Sequence, residues 1–313
     1  MLSSIFSRVR EAWTEQDKRP EVNSSTESSR RFIFPSVDPD VDGEDCDHDC
    51  ANCTIRYPSK FKVEEDGKLY GKVKPVTNHV LVATGRSDWM PKAENEKGSL
   101  MEAFRRDSSQ PREERTVVLA SNISVEPVHG DGDRSRTSTT VLLLPAFLYV
   151  DHVSATDIPE LNARFISTVK ADDSASREPA SNSESNLQSR PCKRDYVVLL
   201  CSHKSRDARC GISAPLIKRE LERHLRPLGL LRDEDDQRPG GVGIFFVSHV
   251  GGHKFAANVL IYRKEDEQMI WLARIRPEHC EGIVKHTIVN GKVVRPDSRL
   301  RGGFDRKRGL MSW

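Results

Sequence analysis

Four side chains in the second half of this chain are of the types that bind soft or borderline metal ions. Cys201 and Cys210 flank the short polar loop SHKSRDAR, and His249 and His253 flank Val250-Gly251-Gly252. Two thiolates with two imidazoles suit either tetrahedral zinc or a [2Fe–2S] centre, and the donor count does not separate them. Two free thiols, or a redox disulfide across the loop, are further readings of the cysteines. The choice has chemical consequences. Four thiolates leave an oxidised [2Fe–2S] centre at about −2, whereas two thiolates and two neutral imidazoles leave it near 0. The less negative centre is easier to reduce, and its non-ligating ring nitrogens can take up protons on reduction. Zinc would do neither and would staple the loops.

A second group is Cys46-Asp47-His48-Asp49-Cys50-Ala51-Asn52-Cys53. Its C-x3-C-x2-C spacing is the one radical S-adenosylmethionine enzymes use for a [4Fe–4S] cluster. The acidic, loop-like setting and the lack of a following βα series argue against that enzyme class. A small accessory metal site at Cys46, Cys50 and Cys53, with His48 as a fourth donor, stays open beside unligated thiols.

The elements that must position the first group are legible as patterns. Tyr196 to Leu200 is a continuous apolar run, as a buried strand would be, and Cys201 closes it. Ser213 before Pro215 predicts a helix start, with Ala214, Ile217, Leu221, Leu225 and Leu228 on one face and Pro227 and Gly229 ending it. Strands follow at 242–248, 257–263 and 269–275, the last two joined by the charged turn KEDEQ, and then a helix over 278–288. Gly251-Gly252 disfavours a helix carrying both histidines, so they are expected on a strand-end loop. The order β-α-β-β-β-α suits an α/β sandwich of thioredoxin type. Residues 79–85, 116–120 and 139–144 read as strands, with helices ending near Phe104 and over 158–169, so the first half is expected to be a degenerate copy.

The whole chain bounds these readings. It has 313 residues, 49 Lys and Arg against 47 Asp and Glu, and a net charge of +2, so no charge excess points to nucleic acid or a membrane surface. No apolar run reaches the roughly 20 residues of a membrane span. The opening MLSSIFSRVREAW has amphipathic helical spacing, but Glu11, Glu15 and Asp17 follow at once, against a mitochondrial presequence. Seven cysteines without an export signal are expected to be ligands or free thiols rather than a disulfide frame.

The segments CSHKSRDARCGISAP, SHVGGHKFAANVLIY and IWLARIRP resemble the sucrase/ferredoxin-like proteins of fungi, over residues 194–288. The resemblance implies a thioredoxin-like ferredoxin domain with a bis-histidinyl, non-Rieske [2Fe–2S] cluster held by Cys201, Cys210, His249 and His253, and electron transfer in redox homeostasis. It implies no glycosidase chemistry, and no paired carboxylates suggest any. The alternatives are a thiol oxidoreductase using Cys201 and Cys210, or a structural zinc domain. The expected organisation is a mostly disordered segment with the cysteine cluster (1–56), a degenerate thioredoxin-like domain (57–170), a linker (171–193), the ferredoxin domain (194–294) and a flexible tail (295–313).

Lys204, Arg206 and Arg209 are expected to donate toward the cluster or dock an acidic redox partner. His203 reads as a bystander, His279 and Cys280 as packing or surface residues, and Arg301-Gly302-Gly303 as a solvated spacer. Met311-Ser312-Trp313 looks like the tripeptide by which clients engage the cytosolic iron–sulfur targeting complex, which favours the cytoplasm over mitochondria. The redox partner is unidentified, and neither nucleic acid nor membrane is expected as a partner.

Overall fold

The computed structural model describes residues 31–107, 115–125, 138–167 and 187–313. Their strands form one mixed, 11-stranded open sheet in the order β11-β10-β9-β8-β6-β7-β2-β1-β3-β4-β5. The first half supplies β1 (Asn78–Ala83), β2 (Thr116–Ser121), β3 (Thr139–Leu144), β4 (Leu148–Val153) and β5 (Gln188–Pro191). The second half supplies β6 (Tyr196–Cys201), β7 (Val242–Val247), β8 (Val259–Arg263), β9 (Gln268–Leu272), β10 (Leu300–Asp305) and β11 (Leu310–Met311).

The halves repeat one pairing scheme. β1 runs parallel to β2 and antiparallel to β3, which pairs antiparallel with β4. β6 likewise runs parallel to β7 and antiparallel to β8, which pairs antiparallel with β9. The halves join where β2 meets β7, at the single register pair Ser121 and Val247. Side chains reinforce this thin joint. The Ser248 hydroxyl accepts the Ala120 N–H at 3.0 Å, and the Asn122 amide oxygen accepts the Phe246 N–H at 2.7 Å.

Strand alternation distributes the apolar residues over three cores. Leu81 of β1, Val197 and Leu199 of β6, and Tyr262 of β8 enter one core shared by both halves. Val80 and Val82 turn away from it, toward α1 (Leu100–Arg106) and Ile158, Leu161 and Ile166. Val198 and Leu200 turn toward α2 (Ala208–Leu225), where Ala214, Ile217, Leu221 and Leu225 form the buried stripe. Residues 277–288 complete this layer as a 3-10 turn, an α-helical turn and a π-helical turn.

Four expectations change. The helix begins at Ala208, not Ser213, because the Asp207 carboxylate caps the Arg209 N–H at 2.9 Å. Pro215 therefore sits inside the helix, where it forgoes one backbone bond, and Leu228 lies past the end, exposed. Residues 31–56 join the core rather than staying apart, since Phe32 and Phe34 are buried against the α2 layer. The flexible tail is instead a strand pair: β10 pairs with β9 along its length, and Gly303 sits where a Cβ would meet the Met269 carbonyl oxygen at 2.0 Å. Of the expected linker, 187–193 is described and contains β5, which pairs with β4. The rest of the linker and residues 1–30, including the presequence-like opening, lie outside the described residues.

A buried polar contact crosses the shared core. His79 of β1 is hydrogen-bonded through Nδ1 to the Tyr262 hydroxyl of β8, and both residues are almost wholly buried. Loss of hydration for the charged ring, with the Arg115 charge nearby, lowers the His79 pKa to about 3. An unfolded histidine takes up a proton near pH 6.5, whereas the folded site refuses it until about 3. Stability is therefore whole above about pH 6.5 and falls as the pH drops toward 3, by up to about 1.4 kcal/mol per unit for this one group. Urea unfolding at pH values between about 6 and 4 should accordingly show a steeper loss for the wild type than for His79→Gln.

Candidate functional site

The strand ends at the β6–β7 pair set the site. Cys201 is the last residue of β6, Cys210 lies in the first turn of α2, and His249 and His253 follow β7. The parallel register aligns Cys201 with Val247, so the cysteine loop and the histidine loop leave the sheet side by side. Gly211 lets the cysteine loop lie against the helix, since a Cβ there would meet the Lys204 Cβ at 2.4 Å.

Both cysteines are buried, at 2% and 1% exposure, and lie close enough for each to shift the ionisation of the other. The Cys210 thiol, the His249 side chain and the Val250 N–H hold the Cys201 pKa well below the usual thiol range, against the opposing cost of burial. The Cys201 sulfur and burial push the Cys210 pKa up. His249 Nε2 lies 3.4 Å from His253 Nδ1, and His253 Nε2 lies 3.7 Å from the Asp207 carboxylate. Desolvation lowers the His253 pKa, with Asp207 opposing and His249 and Arg209 adding to it.

These residues fit a group bound by thiolates and imidazoles. The two thiols are neighbours, the His249 side chain and the Val250 N–H lower the Cys201 pKa, and the buried His249 Nδ1 has no hydrogen-bond partner. The donors form a chain of contacts, Cys210 to Cys201 to His249 to His253, rather than converging on one point. Among the described residues, the one group of three such ligand atoms within 4.8 Å of one another is Cys50, His224 and Glu281, elsewhere in the fold.

The surroundings hold the loops from three directions, and most of this support had no local signal in the sequence. His203 is a strut rather than a bystander. Its Nδ1 accepts the His249 N–H at 3.2 Å, so its Nε2 carries the proton and faces the Trp89 and Met90 carbonyls at 3.1 and 2.9 Å. Ser202 donates to the Ser87 carbonyl at 2.6 Å, and Ser205 donates to Asp88. The first half therefore roofs the cysteine loop. From the other side, the Arg301 guanidinium donates to the Gly251 carbonyl at 2.9 Å and to the Asn258 amide oxygen at 3.1 Å. Asn258 in turn donates to the Gly252 carbonyl at 3.0 Å. Gly252 has φ +69°, and a Cβ on it would strike the Arg301 guanidinium at 2.5 Å. The Arg301 of the supposed spacer is thus a buried support of the histidine loop.

The three basic residues of the cysteine loop do not aim at sulfur. Arg209 forks onto Asp207 at 2.8 and 2.9 Å, Arg206 donates to the Pro91 carbonyl at 3.3 Å, and Lys204 is exposed. A cavity of about 400 Å³ opens beside His249 and His203, with Met101, Phe104 and Val118 on its apolar wall. His279 accepts the Arg276 N–H at 3.1 Å, and Cys280 is fully buried.

The N-terminal cysteines are separated. Cys50 stands with His224 and Glu281, Cys53 donates to the Ile55 carbonyl at 3.2 Å, and Cys46 is buried beyond the turn at Gly43. His48 is paired with Asp45 and Asp47 at the surface. Ser312 is held by Gly303, whose N–H donates to its hydroxyl at 2.9 Å, and the Trp313 ring packs edge-on against Phe304 at 6.2 Å. Met311 is exposed.

His203→Leu should remove the acceptor for the His249 N–H and leave two carbonyls without a donor. A loss of roughly 1–3 kcal/mol is expected, measured as a lower urea midpoint with an unchanged slope.

The sucrase/ferredoxin-like family matches residues 69–302, which includes the first half as well as the second. Actin patches distal protein 1 of Saccharomyces cerevisiae is 32% identical over 246 residues, covering 76% of this chain and 77% of its own. Altered inheritance of mitochondria protein 32 of Clavispora lusitaniae is 30% identical over 266 residues, covering 80% and 90%. The protein of the same name from Kluyveromyces lactis is 24% identical over 295 residues, covering 82% and 86%. No solved structure matches the chain. With three quarters of its length matched and both halves included, the chain belongs to the sucrase/ferredoxin-like family.

Proposed function

We propose that this protein is a one-electron carrier whose [2Fe–2S] cluster is held by Cys201, Cys210, His249 and His253. The observation that carries the reading is the contact chain of these four side chains at the ends of β6 and β7, with the buried His249 Nδ1 left unpartnered. When bound, such a cluster supplies a one-electron couple, raised toward the Rieske range because two neutral imidazoles replace two thiolates. The protein's own residues do the rest. The His249 side chain and the Val250 N–H lower the Cys201 pKa, His203 and Arg301 fix the histidine loop, and the segment around Trp89 holds the cysteine loop through Ser202 and His203. His253 is the half-exposed member, and Asp207 beside its Nε2 favours a proton there. That pairing supports a coupling of proton and electron uptake.

The repeated strand order, with a parallel pair at one end and two antiparallel partners beyond it, supports reading each half as thioredoxin-like. Among the described residues no helix is long and apolar enough to cross a membrane. A cytoplasmic site of action fits the tripeptide Met311-Ser312-Trp313 as a handle for the cytosolic iron–sulfur targeting complex. Engagement requires Ser312 and Trp313 to peel away from Gly303 and Phe304.

Purified anaerobically, the protein should be red-brown, with iron and acid-labile sulfide in equal amounts and a paramagnetic resonance signal on reduction. His249→Cys or His253→Cys should lower the midpoint potential by on the order of 100 mV. Colourless protein with stoichiometric zinc would refute the cluster. A second reading, a thiol oxidoreductase, draws support from the Cys201–Cys210 contact. In that case replacing His249 and His253 together with alanine leaves disulfide exchange intact, whereas an electron carrier loses its chromophore and its activity together.

Removal of Trp313 should lower cluster occupancy in cells while reconstitution in vitro proceeds as in the wild type. Equal occupancy in cells would remove the targeting role.

A further inference from the structure

A second group of donors lies at the far end of α2, roughly 20 Å along the helix from Cys210 at 1.5 Å per residue. The Cys50 sulfur, a ring nitrogen of His224 and a carboxylate oxygen of Glu281 lie within 4.8 Å of one another. They come from three separate segments. Cys50 belongs to the N-terminal segment, pinned where its N–H donates to the Glu278 carbonyl at 2.9 Å. His224 is in the last turn of α2 and Glu281 in the helical turn Cys280–Gly282.

Two further observations concern charge. The Arg223 guanidinium reaches into this group, with Nη2 3.6 Å from the Cys50 sulfur, 3.1 Å from His224 Nε2 and 2.5 Å from Glu220 Oε1. Glu220 has a wholly buried side chain, and its Oε2 has no hydrogen-bond partner. A cationic nitrogen thus sits among a sulfur, an imidazole and a carboxylate, and the buried Glu220 carboxylate also lies 3.3 Å from His224 Nε2. The last turn of a helix also favours a cation through its free carbonyls.

We propose that Cys50, His224 and Glu281 bind one zinc-like divalent cation, for which the Arg223 guanidinium is the placeholder. Sulfur and imidazole donors select zinc over magnesium or calcium, which prefer all-oxygen sites. Arg223 is 43% exposed and free to swing into solvent when the ion enters. Glu281 is exposed and gives the ion a way in, and the buried Glu220 carboxylate lies behind the site, 3.3 Å from His224 Nε2. A metal-bound Cys50 is a thiolate, so its proton leaves to solvent as the ion enters. The ion would tie the N-terminal segment to α2 and to residues 277–288. It is separate from the Cys201 site and does not depend on that site's cofactor.

The test is a zinc titration of the full-length protein by calorimetry in two buffers of different ionisation enthalpy, with X-ray absorption at the zinc edge. One ion per chain is expected, with about one proton released per ion and a single sulfur at about 2.3 Å among nitrogen and oxygen neighbours. Cys50→Ser and His224→Gln should each weaken binding by roughly 10- to 100-fold. Glu281→Gln, at an exposed position that does not endanger folding, should weaken it by about tenfold. Arg223→Ala should bind zinc at least as tightly as the wild type. No binding, a zinc shell with two sulfurs, affinity lost with Cys210→Ser but kept in Cys50→Ser, or weaker binding by Arg223→Ala would overturn the proposal.

Discussion

Strand β6 has no side that faces water. Val198 and Leu200 enter the α2 core, Val197 and Leu199 enter the core shared with the first half, and both edges are paired. A strand buried on both faces must be covered twice, once by helix and once by another layer. That requirement explains why the first half exists as a layer and why its helices lie outermost. It also fixes the position of Cys201, which leaves the sheet at a point enclosed on every side except the loop ends. The depth of the two thiols follows from the strand that carries one of them.

Charge at this site is managed without a lysine or arginine on sulfur. Arg209 is taken by Asp207 and Arg206 by a backbone carbonyl, and the positive end of α2, a buried N–H and a neighbouring thiol favour the thiolate instead. The other end of the same helix uses the opposite solution, a guanidinium placed directly among donor atoms. One 18-residue helix therefore presents two differently charged environments at its ends.

The parts of this architecture legible in the sequence are those with local periodicity. The runs at Tyr196 and Val242 are near-continuous in apolar residues, and both are central strands. The four candidate ligands stood out by type and spacing, and the structure brings them into one chain of contacts. The start of α2 was misread because Ser213 and Pro215 together imitate an N-terminus, while the operative cap, Asp207, lies inside a loop rich in equally polar residues. His203, Asn258 and Arg301 carry no signal of their own. Their roles depend on partners far away in sequence, such as Trp89 for His203 and Gly251 for Arg301. The strand β10 escaped notice because two of its six residues are glycines. They are there because the Met269 carbonyl and the Ser312 side chain lie where their side chains would be.

Arg301 gives this fold an order of assembly. The loop bearing both histidines is made before β10, yet β10 supplies the guanidinium that braces it from below. A nascent chain still lacking residue 301 already holds both cysteines and both histidines, but with the histidine loop unbraced and the outer edge of β9 unpaired. In chain order the donor atoms come first, and the guanidinium that braces the histidine loop comes last, on the closing strand.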